Sequence, residues 1–275
     1  AGNLSYAMTL EPFCQISGLR AASGLVFTAD NLFLISDSSQ FLYRYEIKNQ
    51  VLHKIPLGSE AKENLPKKHK PDFEILTLLN DELHLFGSGS KAHRNQHVVY
   101  HIDSGLYFIY NRSDLYQQLA DLAEIPEDDL NLEGAFFYKN QWYLGQRGNG
   151  ESQKNGLFQC SHNFEPIAFH DIELPKIQNV QATFTDAVVV DDQLYFLAAA
   201  ENSDSTYLDG EIAGSLMGCI ELKNLEVLWT REISQTQKFE GICLYQKTEN
   251  ALEFLLCEDS DSEVSESIIY KLIVN

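Results

Sequence analysis

Leu132-Glu133-Gly134-Ala135-Phe136-Phe137, then Lys139-Asn140, then Trp142 to Gln146, is the stretch from which the fold can be read. An acidic residue precedes a short apolar run. A polar turn follows, then a second apolar run that ends in a polar cluster. Two runs of strand length around a two-residue turn read as a β-hairpin. The same grammar recurs at Ser23-Gly24-Leu25-Val26-Phe27 with Leu32 to Asp37, and at Glu74 to Leu78 with Leu83 to Gly87. It recurs again at Asp186 to Val190 with Leu194 to Ala198, and at Glu240 to Leu244 with Leu252 to Cys257.

The lead residues are thus Ser23, Glu74, Glu133, Asp186 and Glu240. A period of about fifty residues with four strands per unit is the pattern of a β-propeller blade. Third and fourth strands follow in each unit, for example Phe41–Glu46 with Val51–Leu57 and His97–Asp103 with Leu106–Tyr110. The last unit has only a third strand, Ile268–Val274, before the chain stops. Leu4–Leu10 alternates and has no unit of its own, so it can supply the missing strand. A ring closed in this way leaves no free edge between its first and last blades. The expectation is an all-β, five-bladed propeller spanning residues 1–275 as a single domain, closed by its N-terminal strand. Leu115, Leu119 and Leu122 recur at helical spacing, which predicts one short helix over Ser113–Glu124, capped by Ser113, that either roofs the mouth or serves only as a packing helix.

Strand parity places the candidate site. In a four-stranded meander, the loop before the first strand and the loop after the second lie on one face. The lead residues and the clusters after the second strands therefore converge on one mouth of the central tunnel. Four carboxylates so placed need a counter-charge. A hard cation such as Ca²⁺ suits an all-oxygen set, which makes Glu74, Glu133, Asp186 and Glu240 candidate metal ligands. Lys91, Arg94 and Arg147 can instead pair with the acids, or clamp a carboxylate or phosphate over the tunnel. A third reading has each lead carboxylate bonding only backbone N–H groups. Asp204 and Asp209 could add ligands, but a solvated loop is the preferred reading of that stretch.

Forty Asp+Glu against twenty Lys+Arg give a net charge of −20. That field repels phosphate backbones and anionic lipid, so neither nucleic acid nor membrane is an expected partner, and a small anionic molecule held by the local cations is. No apolar run approaches the ~18 residues that span a bilayer. The five cysteines form no CxxC and read as reduced thiols, which leans towards the cytoplasm; the start at Ala1 leaves room for a removed leader and an exported form. Lys67 to Lys70 reads as a solvated basic run. Phosphate-loop, zinc, nucleophile-elbow and EF-hand motifs are absent from the sequence.

Leu132-Glu133-Gly134-Ala135, Phe239-Glu240-Gly241-Ile242 and Ala22-Ser23-Gly24-Leu25 resemble the inner-strand starts of bacterial propellers that are esterase-like phytase relatives or proteins of unknown function. Phe86-Gly87-Ser88-Gly89-Ser90 with Arg94, and Gln146-Arg147-Gly148-Asn149, resemble an uncharacterised family among these more closely. A more distant similarity to calcium-dependent nucleotidase propellers implies a central Ca²⁺ and phosphoester hydrolysis.

Two functions are expected from these residues. One is a metal-assisted hydrolase of a small phosphoester or carboxylic ester. In it the lead carboxylates hold Ca²⁺, Arg147, Lys91 and Arg94 neutralise the substrate, and Glu201 or Glu258 acts as general base where burial raises its pKa. The alternative is a non-catalytic propeller that binds a small anionic ligand or peptide; a purely scaffolding role is the third.

Overall fold

The computed structural model describes residues 7–202, 210–260 and 264–275. Five antiparallel sheets follow one another along the chain. The first blade is Gly24–Thr28, Asn31–Ile35, Phe41–Glu46 and Val51–Pro56. The second is Phe73–Leu79, Glu82–Gly87, Gln96–His101 and Tyr107–Asn111, and the third Leu132–Tyr138, Gln141–Gln146, Gly156–Ser161 and Pro166–Asp171. The fourth is Val180–Val190, Gln193–Asn202, Glu211–Glu221 and Glu226–Ser234, with the two-residue strand Lys176–Ile177 leading into it. The fifth is Phe239–Lys247, Leu252–Glu258 and Glu266–Val274, completed by Met8–Ser17. The architecture is a five-bladed β-propeller.

The N-terminal strand closes the ring, and it extends beyond the expected Leu4–Leu10: Met8 to Leu10 pair as expected and the strand continues to Ser17. Met8 pairs with Val274 and Ser17 with Glu266. Leu4 itself lies outside the described residues. Pro12 makes the sequence look like a strand end. On an outermost edge a proline lacks no ladder bond, so the strand runs through it to the buried Ile16.

Turn chemistry explains the hairpins. Ala29-Asp30 and Lys139-Asn140 both place two consecutive residues at positive φ, the geometry whose twist matches the flanking strands. The core lies between blades rather than within them. Val26, Phe33 and Ile35 of the first blade pack on Phe73, Leu76 and Leu85 of the second. Leu25 and Leu34 pack on Cys243, Leu255 and Ile269 of the fifth, which seals first to last. Burying such side chains stabilises each interface by roughly 1.5–3 kcal/mol per residue. The glycine of the Glu-Gly pairs serves this closeness: a Cβ on Gly241 would lie 2.5 Å from Cys257 Sγ and 3.1 Å from Gly24 Cα.

The helix runs from Ser113 to Leu122. Arg112 is its N-cap, Ser113 being already helical. Leu115, Tyr116, Leu119 and Ala120 bury against Phe86, Trp142 and Phe158 of the second and third blades, whereas Leu122 is exposed. The helix fills the groove between two blades and does not roof the tunnel mouth. Cys160, Cys219, Cys243 and Cys257 are buried free thiols, and Cys14 is half-buried.

Candidate active site at the tunnel mouth

A β-bulge sets the lead side chains. The ladder skips Glu74 between Phe73 and Ile75, Glu240 between Phe239 and Gly241, and Glu133-Gly134 between Leu132 and Ala135. A bulge re-aims the extra residue, here into the mouth of the tunnel. In the fourth blade the skipped residue is Thr185, between Phe184 and Asp186. The five equivalent positions are therefore Ser23, Glu74, Glu133, Thr185 and Glu240. Ser23 Oγ donates to Phe73 O at 2.6 Å and Thr185 Oγ1 donates to Phe239 O at 2.7 Å. Each hydroxyl thus holds the carbonyl just ahead of the next blade's glutamate.

Asp186 is displaced by that one-residue shift. Its Oδ1 accepts from Ala187 N and its Oδ2 from Ile242 N, both at 2.8 Å. It ties the fourth inner strand to the fifth and does not line the cavity, so it leaves the candidate metal set. Gly134, at φ +90°, makes room for it: a Cβ there would lie 3.2 Å from Asp186 Oδ1.

The mouth narrows to a neck of ≈ 50 Å³ walled almost wholly by charged side chains. That is room for about four waters, or for one small polar group. On one wall Lys70 Nζ lies 2.8 Å from Asp37 Oδ2 and 3.0 Å from Asp72 Oδ1, and Arg94 lies 3.3 Å from Asp72. Ser88 and Ser90 hydroxyls face Asp72 as well. On the opposite wall Arg147 donates to Glu201 Oε1 at 2.9 Å and to Thr183 Oγ1 at 3.1 Å, and its other amino group lies 3.7 Å from Glu133 Oε1. Lys238 lies 3.2 Å from Glu201, 3.3 Å from Glu240 and 3.8 Å from Asp259.

These neighbours separate the carboxyls electrostatically. Burial pushes Glu133 up to about 8, against the pull of Arg147 and Lys238. Burial, reinforced by Asp72, Glu133 and Glu240, holds Glu74 well above the usual carboxylate range. Burial and Asp259 do the same to Glu240. Burial also acts upward on Glu201, but Arg147 and Lys238 outweigh it and bring that carboxyl down to about 2. Glu74 Oε2 and Glu133 Oε2 are buried without a hydrogen-bond partner. Buried polar atoms are seldom left so, and two in one cavity mark where a ligand's donors fit.

Of the residues singled out in the sequence, Glu74, Glu133, Glu240, Arg94, Arg147 and Glu201 share this neck. Glu258 lies beside it in a vestibule of ≈ 250 Å³, with Thr236, Gln237 and Ile212, which shares Glu201, Lys238 and Asp259 with the neck. Lys91 is elsewhere. The loop doubles back through Gly89 N–H to Arg94 O, which turns Arg94 inward and leaves Lys91 in a side pocket with Asn95 and Asp114. Asp204 and Asp209 fall outside the described residues. Lys70, Asp72, Asn131 and Lys238 line the neck without having been singled out, and Lys70 belongs to the run read as solvated. A signal for three of them exists: Asp72, Asn131 and Lys238 each precede a lead glutamate by two residues, in the segment entering the inner strand at the mouth.

Among the described residues, Asp37, Asp72 and Glu74 carry carboxylate oxygens all within 4.8 Å of one another, a spacing that could hold a metal ion. The donors are oxygen only, which suits a hard cation. Lys70 and Arg94 already supply positive charge at two of the three.

A family model matches residues 18–274, nearly the whole propeller. The chain belongs to the DUF6929 family, a family of unknown function. No curated protein matches this DUF6929 chain. Solved structures do, at the level of fold. The glutaminyl cyclase of Myxococcus xanthus superposes with a TM-score of 0.56 at 9% identity, over 98% of each chain. An exo-1,5-α-L-arabinanase from a bovine ruminal metagenomic library gives 0.54 at 9% identity, over 94% of this chain and 93% of that one. The major allergen Mala s 1 of Malassezia sympodialis gives 0.58 at 10% identity, over 94% and 95%. At such identities the DUF6929 chain shares their propeller, and its chemistry has to be argued from its own residues.

Proposed function

We propose that this DUF6929 chain hydrolyses a small phosphoester or carboxylic ester, with the scissile group in the neck and the rest of the molecule in the vestibule. The observation that carries the reading is the pair Glu133 and Glu74, two buried carboxyls in one cavity, each with an unpartnered oxygen and each drawn above the ordinary carboxylate range. Carboxyls raised towards neutrality by burial can hold or accept a proton where the chemistry needs one, one as base and one as acid. Glu133, balanced near pH 8, takes the proton of an attacking water. Glu74, held protonated by burial and by Asp72, Glu133 and Glu240, returns a proton to the leaving oxygen. Arg147 and Lys238 stabilise the negative charge that develops between these events. Glu201 is not the base in this scheme. Held down at about 2, it anchors Arg147 and Lys238, and Glu258 contacts the substrate body in the vestibule.

Ca²⁺ is the cation that Asp37, Asp72 and Glu74 would suit; it would take Glu74 in its ionised form, so a bound ion would stand in for the acid role of Glu74 and would neutralise the substrate's anion. Lys70 sits between two of those carboxylates and would have to withdraw to admit it. The substrate is a small anionic molecule in this reading, because the neck gathers five cations, Lys67, Lys70, Arg94, Arg147 and Lys238, within a strongly acidic chain.

The test is turnover of p-nitrophenyl esters, phosphomonoesters and phosphodiesters, with and without Ca²⁺. The expected rate rises with pH and levels near about pH 8, and Glu133→Gln loses at least ~100-fold with the fold intact. Absence of turnover on every class, or an unaffected Glu133→Gln, contradicts the proposal; tight binding of a small anion without turnover would favour a binding propeller.

A further inference from the structure

The outermost strand of the second blade, Tyr107–Asn111, differs from every other outer edge. The outer strand Val51–Pro56 carries Lys54 and Pro56, and Pro166–Asp171 carries a proline and an aspartate. Glu226–Ser234 carries Glu226, Arg231 and Glu232, and Met8–Ser17 carries Glu11 and Pro12. Charges and prolines on an edge discourage a second strand from adding to it. Tyr107–Asn111 has neither, nor has Leu106 before it.

The same segment is exposed. Leu106 is 63% exposed, Phe108 53%, Ile109 45% and Tyr110 44%. The outer strands of the first, third and fourth blades expose one large apolar side chain each, Val51, Ile167 and Leu228. The strand is also held firmly: it pairs with Gln96–His101 from Tyr100↔Tyr107 to Gln96↔Asn111, and Tyr107 Oη accepts from Gly58 N at 2.8 Å, across to the first blade. Its other edge ends the sheet.

We propose that this edge is a homodimer interface, in which Tyr107–Asn111 of two copies pair antiparallel and join two second blades into one continuous sheet. A second copy is the occupant that the charge distribution selects. Two chains of net charge −20 repel over most of their surfaces. Leu106–Asn111 carries no charged side chain, and it is where two such chains meet without setting like charges opposite; the one cation beside it, Arg112, is stacked on the Tyr110 ring 5.1 Å away. Two identical strands paired antiparallel form a self-complementary contact with two-fold symmetry, the commonest closed assembly. Phe108 and Tyr110, on one face of the strand, then gain cross-strand neighbours of their own kind.

Sedimentation across a concentration series of the intact chain tests this. The expected result is a reversible shift from one chain mass to two. Ile109→Lys and Phe108→Lys should each hold the protein at one chain mass with an unchanged circular-dichroism spectrum, while Ile167→Lys on the third blade's edge leaves the dimer intact. Amide exchange over Tyr107–Asn111 should slow as wild-type concentration rises, which reads the interface without any variant. A wild type that stays monomeric, a folded Ile109→Lys that still dimerises, or exchange independent of concentration overturns the proposal. Capture of an added peptide by a monomer does so as well.

Discussion

Glu133 and Glu201 face different nitrogens of one guanidinium, that of Arg147, and differ in charge at neutral pH, Glu133 being neutral and Glu201 negative. Glu201 is 2.9 Å from the arginine and also meets Lys238, so it stays ionised down to about 2. Glu133 stands 3.7 Å away with one oxygen unpartnered, and burial keeps it protonated up to about 8. One fixed charge and one exchangeable proton on a shared cation is the arrangement from which the proposed chemistry follows.

That proton should be visible in stability. Glu133 has its folded pKa raised from 4.5 to about 8, so the folded state binds the proton more tightly than the unfolded chain. Its contribution is full below about pH 4.5 and is lost as pH rises through about 8. Thermal melts of wild type and Glu133→Gln between about pH 5 and about pH 9 should show a shallower alkaline decline for the variant. Parallel curves would remove Glu133 as the titrating group.

Between the second and third blades the sign reverses. Arg112 donates to His97 Nδ1 at 3.0–3.1 Å, so neutral His97 presents its Nε2–H to His84 Nδ1 at 2.9 Å. Burial lowers His84 to about 4 and His97 to about 2, from 6.5. The unfolded chain therefore binds protons that the folded one refuses. Stability from this pair is present above about pH 6.5 and falls as pH drops towards about 4. The double variant His84→Gln/His97→Gln should lose less stability than wild type over that acid range, as read by denaturant unfolding. An equal acid loss would contradict it.

Asp186 should matter for folding and not for turnover. Asp186→Ala strands the N–H groups of Ala187 and Ile242, at a cost of ~1–3 kcal/mol. Chemical denaturation should show that loss, while the rate per folded molecule stays at the wild-type value. A stable but inactive variant would return Asp186 to the site.

Lys70 should compete with cations. Replacing it by Met leaves Asp37 and Asp72 without their nearest counter-charge. Ca²⁺ should raise the melting temperature of Lys70→Met by more than that of wild type, and EDTA should reverse the gain. Identical responses would separate Lys70 from the cation site.

Fold and site were legible to different depths. The fifty-residue grammar around Glu74, Glu133 and Glu240 specifies blades because hairpin turns and strand lengths are local. Ring closure was legible as a missing strand, though Pro12 hid where that strand runs. The fourth blade's lead was misplaced because a bulge shifts facing by one residue, and Thr185 next to Asp186 gives the acid the appearance of the conforming position. Lys70 and Lys238 were passed over because burial of a lysine depends on carboxylates from other blades, Asp37 and Glu201 among them, which lie tens of residues away. Lys91 was placed in the site because its loop's reversal at Gly89 is a backbone event that the sequence only hints at.

The proposed chemistry requires a carboxyl at the tunnel mouth that exchanges its proton near pH 8. The direct measurement is ¹³C NMR titration of glutamate carboxyls in wild type and Glu133→Gln. The expected result is a resonance with a midpoint of about 8 that vanishes in the variant; a Glu133 resonance titrating at 4.5, the ordinary glutamate value, would overturn the proposed base.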